Sequence, residues 1–314
     1  MKSTLTTAFL TVLLAVAGPA FGQASSTPAH APIVIASRLD VTRATIVVAI
    51  EGRPYACVLD TGTSTMLVSQ SVAAATGLSA AAPVDEVAPD GVHYADRHTQ
   101  LARLDVAGYA MRDVPALISS KLSGNTVLCG YDFFARIPTL IDRDRQVVTL
   151  FPTTATLDRM RCVPVDLSAH VPVASLQLDG AWIDDVVLDS GMVGGGAIWN
   201  GAAQQLGRPL ATAAGYRPDP RELQNGLACG RTAIVGLFAG APLDVVSLCT
   251  SAQRPDGYNG VIQTNFPTVH QLAIDYPNRR LCFTAGPPSP ALLTTSPSLD
   301  RDAWSRFDRA HPPR

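Results

Sequence analysis

Short apolar runs of strand length, separated by turns built on Gly, Pro and Asp, set the hydrophobic pattern of this chain. Ile46 to Ile50 is one such run, rich in β-branched residues. Glu51-Gly52-Arg53-Pro54 turns it, and Tyr55 to Leu59 leads on to Asp60. The pattern then recurs. Val173 to Leu178 is turned by Asp179-Gly180, and Trp182 to Leu188 leads on to Asp189. A short apolar strand follows each Asp loop, Met66-Leu67-Val68 in one place and Ala197-Ile198-Trp199 in the other. A helical stretch comes next in both, Ser69 to Gly77 and Asn200 to Gly207. Ser69 and Asn200 suit the start of a helix because their side chains can accept from its first free N–H groups. Gly77 and Gly207 suit its end because glycine takes the left-handed conformation there.

The later parts of the two copies also correspond. The first runs Leu128-Cys129-Gly130-Tyr131-Asp132-Phe133-Phe134, then Pro138 to Asp142, then Arg145 to Leu150. The second runs Gly260-Val261-Ile262, then His270 to Asp275, then Arg279 to Phe283. Both finish as strand, Asp-containing turn, strand, and Asp142 and Asp275 read as turn-formers. The pattern predicts a mainly β fold made from two copies of one unit. The copies are expected at 33–151 and 162–286, joined by a linker from Pro152 to Arg161. Trp182 and Trp199 flank the second Asp loop and read as core residues. Asp184 and Asp185 read as exposed positions of the strand before it. The Pro- and Ser-rich tail, 287–314, places Leu299, Ala303 and Phe307 at helical spacing, so it can carry a short helix or remain solvated.

Composition changes the picture at the N-terminus. Lys2, the apolar run Ala8 to Ala17 and the small residues around Ala20-Phe21-Gly22 read as a signal peptide over 1–22, cleaved before Gln23. That run is too short to span a bilayer, and no later segment is long and apolar enough to do so. The expectation is a periplasmic or secreted protein without a membrane span. The whole chain of 314 residues carries a net charge of −2. Loss of Lys2 makes the remainder about −3. So weak a charge argues against a nucleic-acid partner.

Six cysteines in an exported chain read as disulfides. Cys162 opens the second copy and Cys282 lies in its last strand, which makes Cys162–Cys282 a staple for one unit. Cys229 and Cys249 lie on either side of a hairpin-like stretch and are assigned to each other. Cys57 and Cys129 both belong to the first copy and form the remaining pair. The histidines are scattered and no C-x-x-C or H-x-x-H spacing occurs, so no metal and no cofactor is expected.

The repeated loops carry the candidate chemistry. Val58-Leu59-Asp60-Thr61-Gly62-Thr63-Ser64 and Val187-Leu188-Asp189-Ser190-Gly191 each end a strand in Asp-Thr/Ser-Gly. Two carboxylates brought face to face cannot both ionise easily, so one keeps a proton while the other is charged. Such a pair serves acid–base hydrolysis. No G-x-S-x-G motif suggests a nucleophilic serine instead. The second loop continues Met192-Val193-Gly194-Gly195-Gly196, where the first has Thr63-Ser64. Its glycines do not read as a phosphate cradle, because no Lys is present and no helix follows at once.

Together, Leu59 to Ser64, Leu128 to Phe134 and Ile141-Asp142-Arg143-Asp144-Arg145 resemble a retropepsin-type aspartic protease unit. Duplicated and fused, the two copies resemble the bilobal pepsin plan, with shorter lobes. The resemblance implies two retropepsin-like β-barrel lobes related by internal duplication. It implies Asp60 and Asp189 as the catalytic pair, sharing a proton and holding a water. Thr61, Gly62, Thr63, Ser190 and Gly191 would support the loops, with the Thr61 and Ser190 hydroxyls bonding across to the opposite loop. It also implies a substrate-covering flap, which fits Asp85 to Thr99 with its turn at Pro89-Asp90-Gly91 and with Gly91, His93 and Tyr94 near the tip. An ordinary exposed hairpin fits the same residues.

These readings add up to an exported aspartic endopeptidase, a monomer acting on peptide or protein substrates. Two alternatives stay open. One is a non-catalytic peptide-binding protein with a degenerate second loop, in which Met192 replaces the usual hydroxyl. The other is an enzyme active only as a dimer of first lobes.

Overall fold

A computed structural model describes residues 30–39, 43–81, 83–87, 93–178, 180–192, 196–198, 227–230, 234–238, 241–245, 248–251, 257–266 and 268–286. The fold is mainly β. Each copy contributes a large sheet of its own, the second adds the two-stranded pair Leu227–Gly230 and Leu248–Ser251, and a further sheet is shared.

In the first copy, Ala44–Ile50 pairs with Arg53–Leu59 in an antiparallel hairpin. Alternation is clear in the first strand. Ala44, Ile46, Val48 and Ile50 are buried while Val47 faces outward, as the two-residue period of a strand requires. The second strand is buried continuously from Tyr55 to Leu59 because it is covered on both faces. It lies parallel to Thr126–Cys129, which in turn pairs antiparallel with Met66–Ser69. The second copy repeats this plan. Ala181–Asp189 lies parallel to Gly260–Gln263, which pairs antiparallel with Gly196–Ile198. The duplicated pattern of the sequence is thus a duplicated topology, two lobes built from one unit. Each Asp terminates a strand held in the middle of its sheet.

The shared sheet joins the lobes. Its order is Ile33–Ala36, Val147–Leu150, Thr139–Asp142, Val269–Asp275, Arg280–Ala285, Arg161–Pro164. At its centre Thr139–Asp142 runs antiparallel to Val269–Asp275, with Ile141 opposite Leu272. Asp142 is buried and turn-forming: one oxygen accepts from Arg145 N at 2.9 Å, the other from Gln271 Nε2 at 2.8 Å. Asp275 is likewise buried, paired with Arg280 Nε at 2.7 Å. The largest fully buried side chains include Phe133, Phe134, Ile46, Leu59, Met66, Leu101 and Phe283, and they belong to one continuous core.

Several local expectations meet the structure. The first post-loop helix is Gln70–Thr76, capped by Ser69 Oγ accepting from Val72 N and closed by Gly77 at φ 71°. Cys162–Cys282 and Cys57–Cys129 are bridged. Cys162 and Cys282 sit directly opposite on adjacent antiparallel strands. The backbone register also sets Cys229 opposite Cys249, but their side chains lie outside the described residues. The segment read as a linker is partly ordered: Thr154–Leu157 is a helical turn, and Leu157 and Met160 are buried against Leu140 and Cys282. The core reading of Trp182 is wrong. The side chain is 62% exposed, because Ile183 takes the inward position and its strand neighbours must face out. Asp184 and Asp185 are exposed as expected. Trp199, the stretch Asn200 to Gly207 and the tail 287–314 lie outside the described residues.

Candidate active site

The Asp loops are fixed first by their own backbones. Asp60 N donates to Cys129 O at 3.0 Å, which ties the loop to the neighbouring parallel strand. Gly62 N donates to Asp60 Oδ1 at 3.0 Å. In the second loop Gly191 N and Met192 N donate to Asp189 Oδ1 at 2.6 and 2.9 Å. Each carboxyl is therefore aimed by N–H groups of the turn that carries it.

The loops then meet. A methyl group placed on Gly62 would overlap the Asp189 carboxyl and come within 2.9 Å of its Oδ1. One placed on Gly191 would overlap the Asp60 carboxyl and come within 2.6 Å of its Oδ1. No side chain fits at either position, so the glycine of each loop is where the opposite carboxyl rests. Behind them Thr61 and Ser190 are buried and interlock. Thr61 Oγ1 donates to Leu188 O at 2.7 Å and accepts from Ser190 N at 2.9 Å. Ser190 Oγ donates to Leu59 O at 2.8 Å and accepts from Thr61 N at 3.0 Å. Each hydroxyl satisfies a buried carbonyl and a buried N–H of the other lobe, groups that would be costly to leave unpaired.

Proximity and burial set the charges. Burial, followed by the charge of Asp60, pushes the Asp189 carboxyl up to about 8, against the pull of the Gly191 and Met192 N–H groups. A hydrogen bond with the Asp60 side chain favours the protonated form further. Tyr276, in the turn Tyr276–Asn278 after the central strand, is buried, and its phenol is pushed well above its ordinary value by burial and then by Asp60 and Asp189. Both shifts favour a neutral group beside a single negative charge. Among the described residues no cluster of three or more His, Cys, Asp or Glu could hold a metal ion.

Of the sequence-derived site residues, Asp60, Thr61, Gly62, Asp189, Ser190 and Gly191 converge at this one place. Thr63 contributes its carbonyl, which accepts from Tyr131 N at 3.1 Å. The segment expected as a flap forms a hairpin of Pro83–Val87 and His93–Val106, with Val87 opposite His93. The side chains of His93 and Tyr94 lie outside the described residues, as does Gly91 with the turn itself.

Four residues take roles that sequence reasoning did not assign. Gly130 is required because a methyl there would meet Thr63 O at 2.6 Å and overlap Thr65 O. Nearby, Asp132 accepts from Thr65 Oγ1 at 2.5 Å. In the second lobe Asn265 Nδ2 donates to Ser190 O. From the first lobe Arg43 Nε donates to Gly191 O at 2.8 Å. Gly130 and Asp132 lie in the stretch Leu128 to Phe134 that carries the sequence resemblance, so those two had a signal in the sequence. Arg43 and Asn265 act across 148 and 75 residues of chain, and no local pattern marks them.

Comparison with known proteins agrees with this construction. Residues 46–136 match the family described as "gag-polyprotein putative aspartyl protease". Among curated proteins, none matches. A crystal structure of an aspartic proteinase from Irpex lacteus is similar at a TM-score of 0.52 and 10% identity, covering 83% of this chain and 99% of that one. A retropepsin-like aspartic protease from Rickettsia conorii aligns with 38% of this chain and 89% of its own at 15% identity, with a TM-score of 0.29. The first copy is thus similar to that aspartyl-protease family over 46–136, and the chain shares the fold of the Irpex lacteus aspartic proteinase across most of its length.

Proposed function

We propose that this protein is an exported aspartic endopeptidase that hydrolyses peptide bonds with a water activated between Asp60 and Asp189. The observation that carries this reading is the contact of each carboxyl with the glycine of the opposite loop, within one chain. Asp189 holds the proton, consistent with its raised affinity for one. Asp60 is the base. It takes a proton from the water as the water oxygen attacks the carbonyl carbon, and Asp189 donates to the carbonyl oxygen as negative charge develops there. The tetrahedral intermediate collapses when its C–N bond breaks. The proton gathered at Asp60 passes to the leaving nitrogen, and the second hydroxyl of the intermediate returns a proton to the pair. No covalent bond to the protein forms. Positioned acid–base groups of this kind contribute roughly 10²–10⁴-fold each.

The hairpin 83–106 is the proposed flap over the substrate. A monomer suffices, because the two-fold arrangement that a homodimer would otherwise supply is built into the chain. This favours the single-chain pair over a dimer of first lobes. Export to the periplasm or the exterior rests on the N-terminal sequence and is consistent with the two bridged cysteine pairs. The test is digestion of a peptide library by the mature chain, with and without pepstatin, alongside Asp60→Asn and Asp189→Asn. Cleavage that pepstatin blocks and either substitution abolishes supports the proposal. Tight pepstatin binding without cleavage at any pH would replace it with the peptide-binding reading, which the presence of Met192 in the second loop favours.

A further inference from the structure

The two Asp loops are closed in different ways. In the first lobe Leu59 is paired with Cys129, and Gly130 follows. In the second Leu188 is paired with Ile262, and Gln263 follows. Gln263 therefore stands where the first lobe requires glycine. The backbone contact has moved as well. Tyr131 N reaches Thr63 O, three residues past Asp60, whereas its counterpart Thr264 N reaches the carbonyl of Asp189 itself at 2.9 Å. The backbone closure of the first loop is thus not repeated in the second, and Met192 supplies no hydroxyl there.

Two side chains stand at this point. Asn265 Nδ2 donates to Ser190 O and Arg43 Nε donates to Gly191 O. A peptide unit is planar, so holding its carbonyl also fixes the direction of its N–H. The unit that contains Ser190 O carries Gly191 N. The unit that contains Gly191 O carries Met192 N. These are the two N–H groups that grip Asp189 Oδ1. In the first lobe the residue equivalent to Asn265 is Asp132, which accepts from Thr65 rather than donating. The donor at position 265 is therefore specific to the lobe whose backbone closure has changed.

We propose that Asn265 is a positioning residue for Asp189: it clamps the Ser190 carbonyl and so aims the Gly191 N–H at the carboxyl, with Arg43 doing the same from the other lobe for the next peptide unit. Asn265 is buried, and it acts on the carboxyl through this peptide plane. The inference rests on the proposed endopeptidase activity for its kinetic readout, and a second readout is independent of activity.

The experiment compares the mature wild-type chain with Asn265→Ala and Asn265→Asp. Three things are measured: kcat and KM on a cleaved peptide, the thermal midpoint, and the carboxyl titration of Asp189 followed by NMR with 13C-labelled aspartate. Loss of the clamp should lower kcat by about 10²-fold, the scale of a misplaced reacting group, with KM little changed and the Asp189 titration displaced. Asn265→Asp provides a rescue that depends on pH. The introduced carboxyl can donate to Ser190 O while protonated and repels it once ionised. Its activity relative to wild type should be highest at acidic pH and fall as pH rises, whereas Asn265→Ala should be low throughout. A wild-type kcat and an unchanged Asp189 titration in Asn265→Ala, even with a lowered thermal midpoint, would overturn the proposal. If the wild-type chain cleaves nothing, the endopeptidase reading fails by itself. The titration then decides: displaced in the variants, Asn265 positions the loop; unchanged, it does not.

Discussion

Replacing Asp189 by Asn tests the shared-proton arrangement through stability as well as activity. The amide keeps the shape of the carboxyl. Its oxygen can still accept from Gly191 N and Met192 N, and its NH₂ can still donate to Asp60. What it removes is a titrating group pushed from 3.8 to about 8 by burial and by the Asp60 charge. The sign follows from proton uptake. Between these two values the folded protein holds the Asp189 proton and the unfolded chain does not. Unfolding then releases a proton and becomes easier as pH rises. Wild-type stability should therefore fall from near pH 4 to near pH 8, while an amide at this position has no proton to lose. At about 1.4 kcal/mol per pH unit, the ceiling on this difference is on the order of 6 kcal/mol. Below pH 4 the two proteins should be equally stable. Towards pH 8 the inactive Asp189→Asn variant should be the more stable one. Urea denaturation of both proteins at pH 4, 6 and 8, with peptide hydrolysis measured on the same samples, gives the comparison. Parallel stability curves across that range would mean that Asp189 holds no extra proton in the folded state, and the acid–base division between the two carboxyls would fall with it.

The same shift bears on activity: the singly protonated pair should persist from acidic to near-neutral pH, so kcat should hold through mildly acidic conditions and decline towards pH 8 as Asp189 ionises. Gly191→Ala should abolish hydrolysis and weaken pepstatin binding, since its methyl overlaps the Asp60 carboxyl, and retained turnover would argue against the close approach of the loops. Thr61→Val should destabilise by about 1–3 kcal/mol for each buried group it leaves unpaired, Ser190 N and Leu188 O, measured by chemical denaturation. Removing Cys162–Cys282 by a Cys282→Ser change should lower stability by about 2–5 kcal/mol, and the reductant sensitivity of the thermal midpoint should shrink in that variant.

The sequence by itself determined the repeated unit, the strands that lead to Asp60 and Asp189, and the capped helix Gln70–Thr76. Each of these rests on local rules, the two-residue period of a strand or the end chemistry of a helix, and such rules act over a few residues. The Cys162–Cys282 pair was legible because the repeat placed the two residues at the ends of one unit. The exposure of Trp182 was not legible. It depended on which neighbour takes the inward position, and an aromatic residue in an apolar run gives no sign of that. The convergence of the loops was only implied. Whether Gly62 receives the Asp189 carboxyl and Gly191 the Asp60 carboxyl depends on how two sheets are joined by the shared sheet, through contacts such as Ile141 opposite Leu272. Arg43 and Asn265 came from the tertiary structure alone. A long-range hydrogen bond to a backbone carbonyl asks only for a donor at the right point in space, and that point is set by the whole fold. The asymmetry of the loops divides the same way. The sequence shows Met192 where the first copy has Thr63. Only the paired strands show Gln263 in the place of Gly130, and so which side chains must hold the second loop.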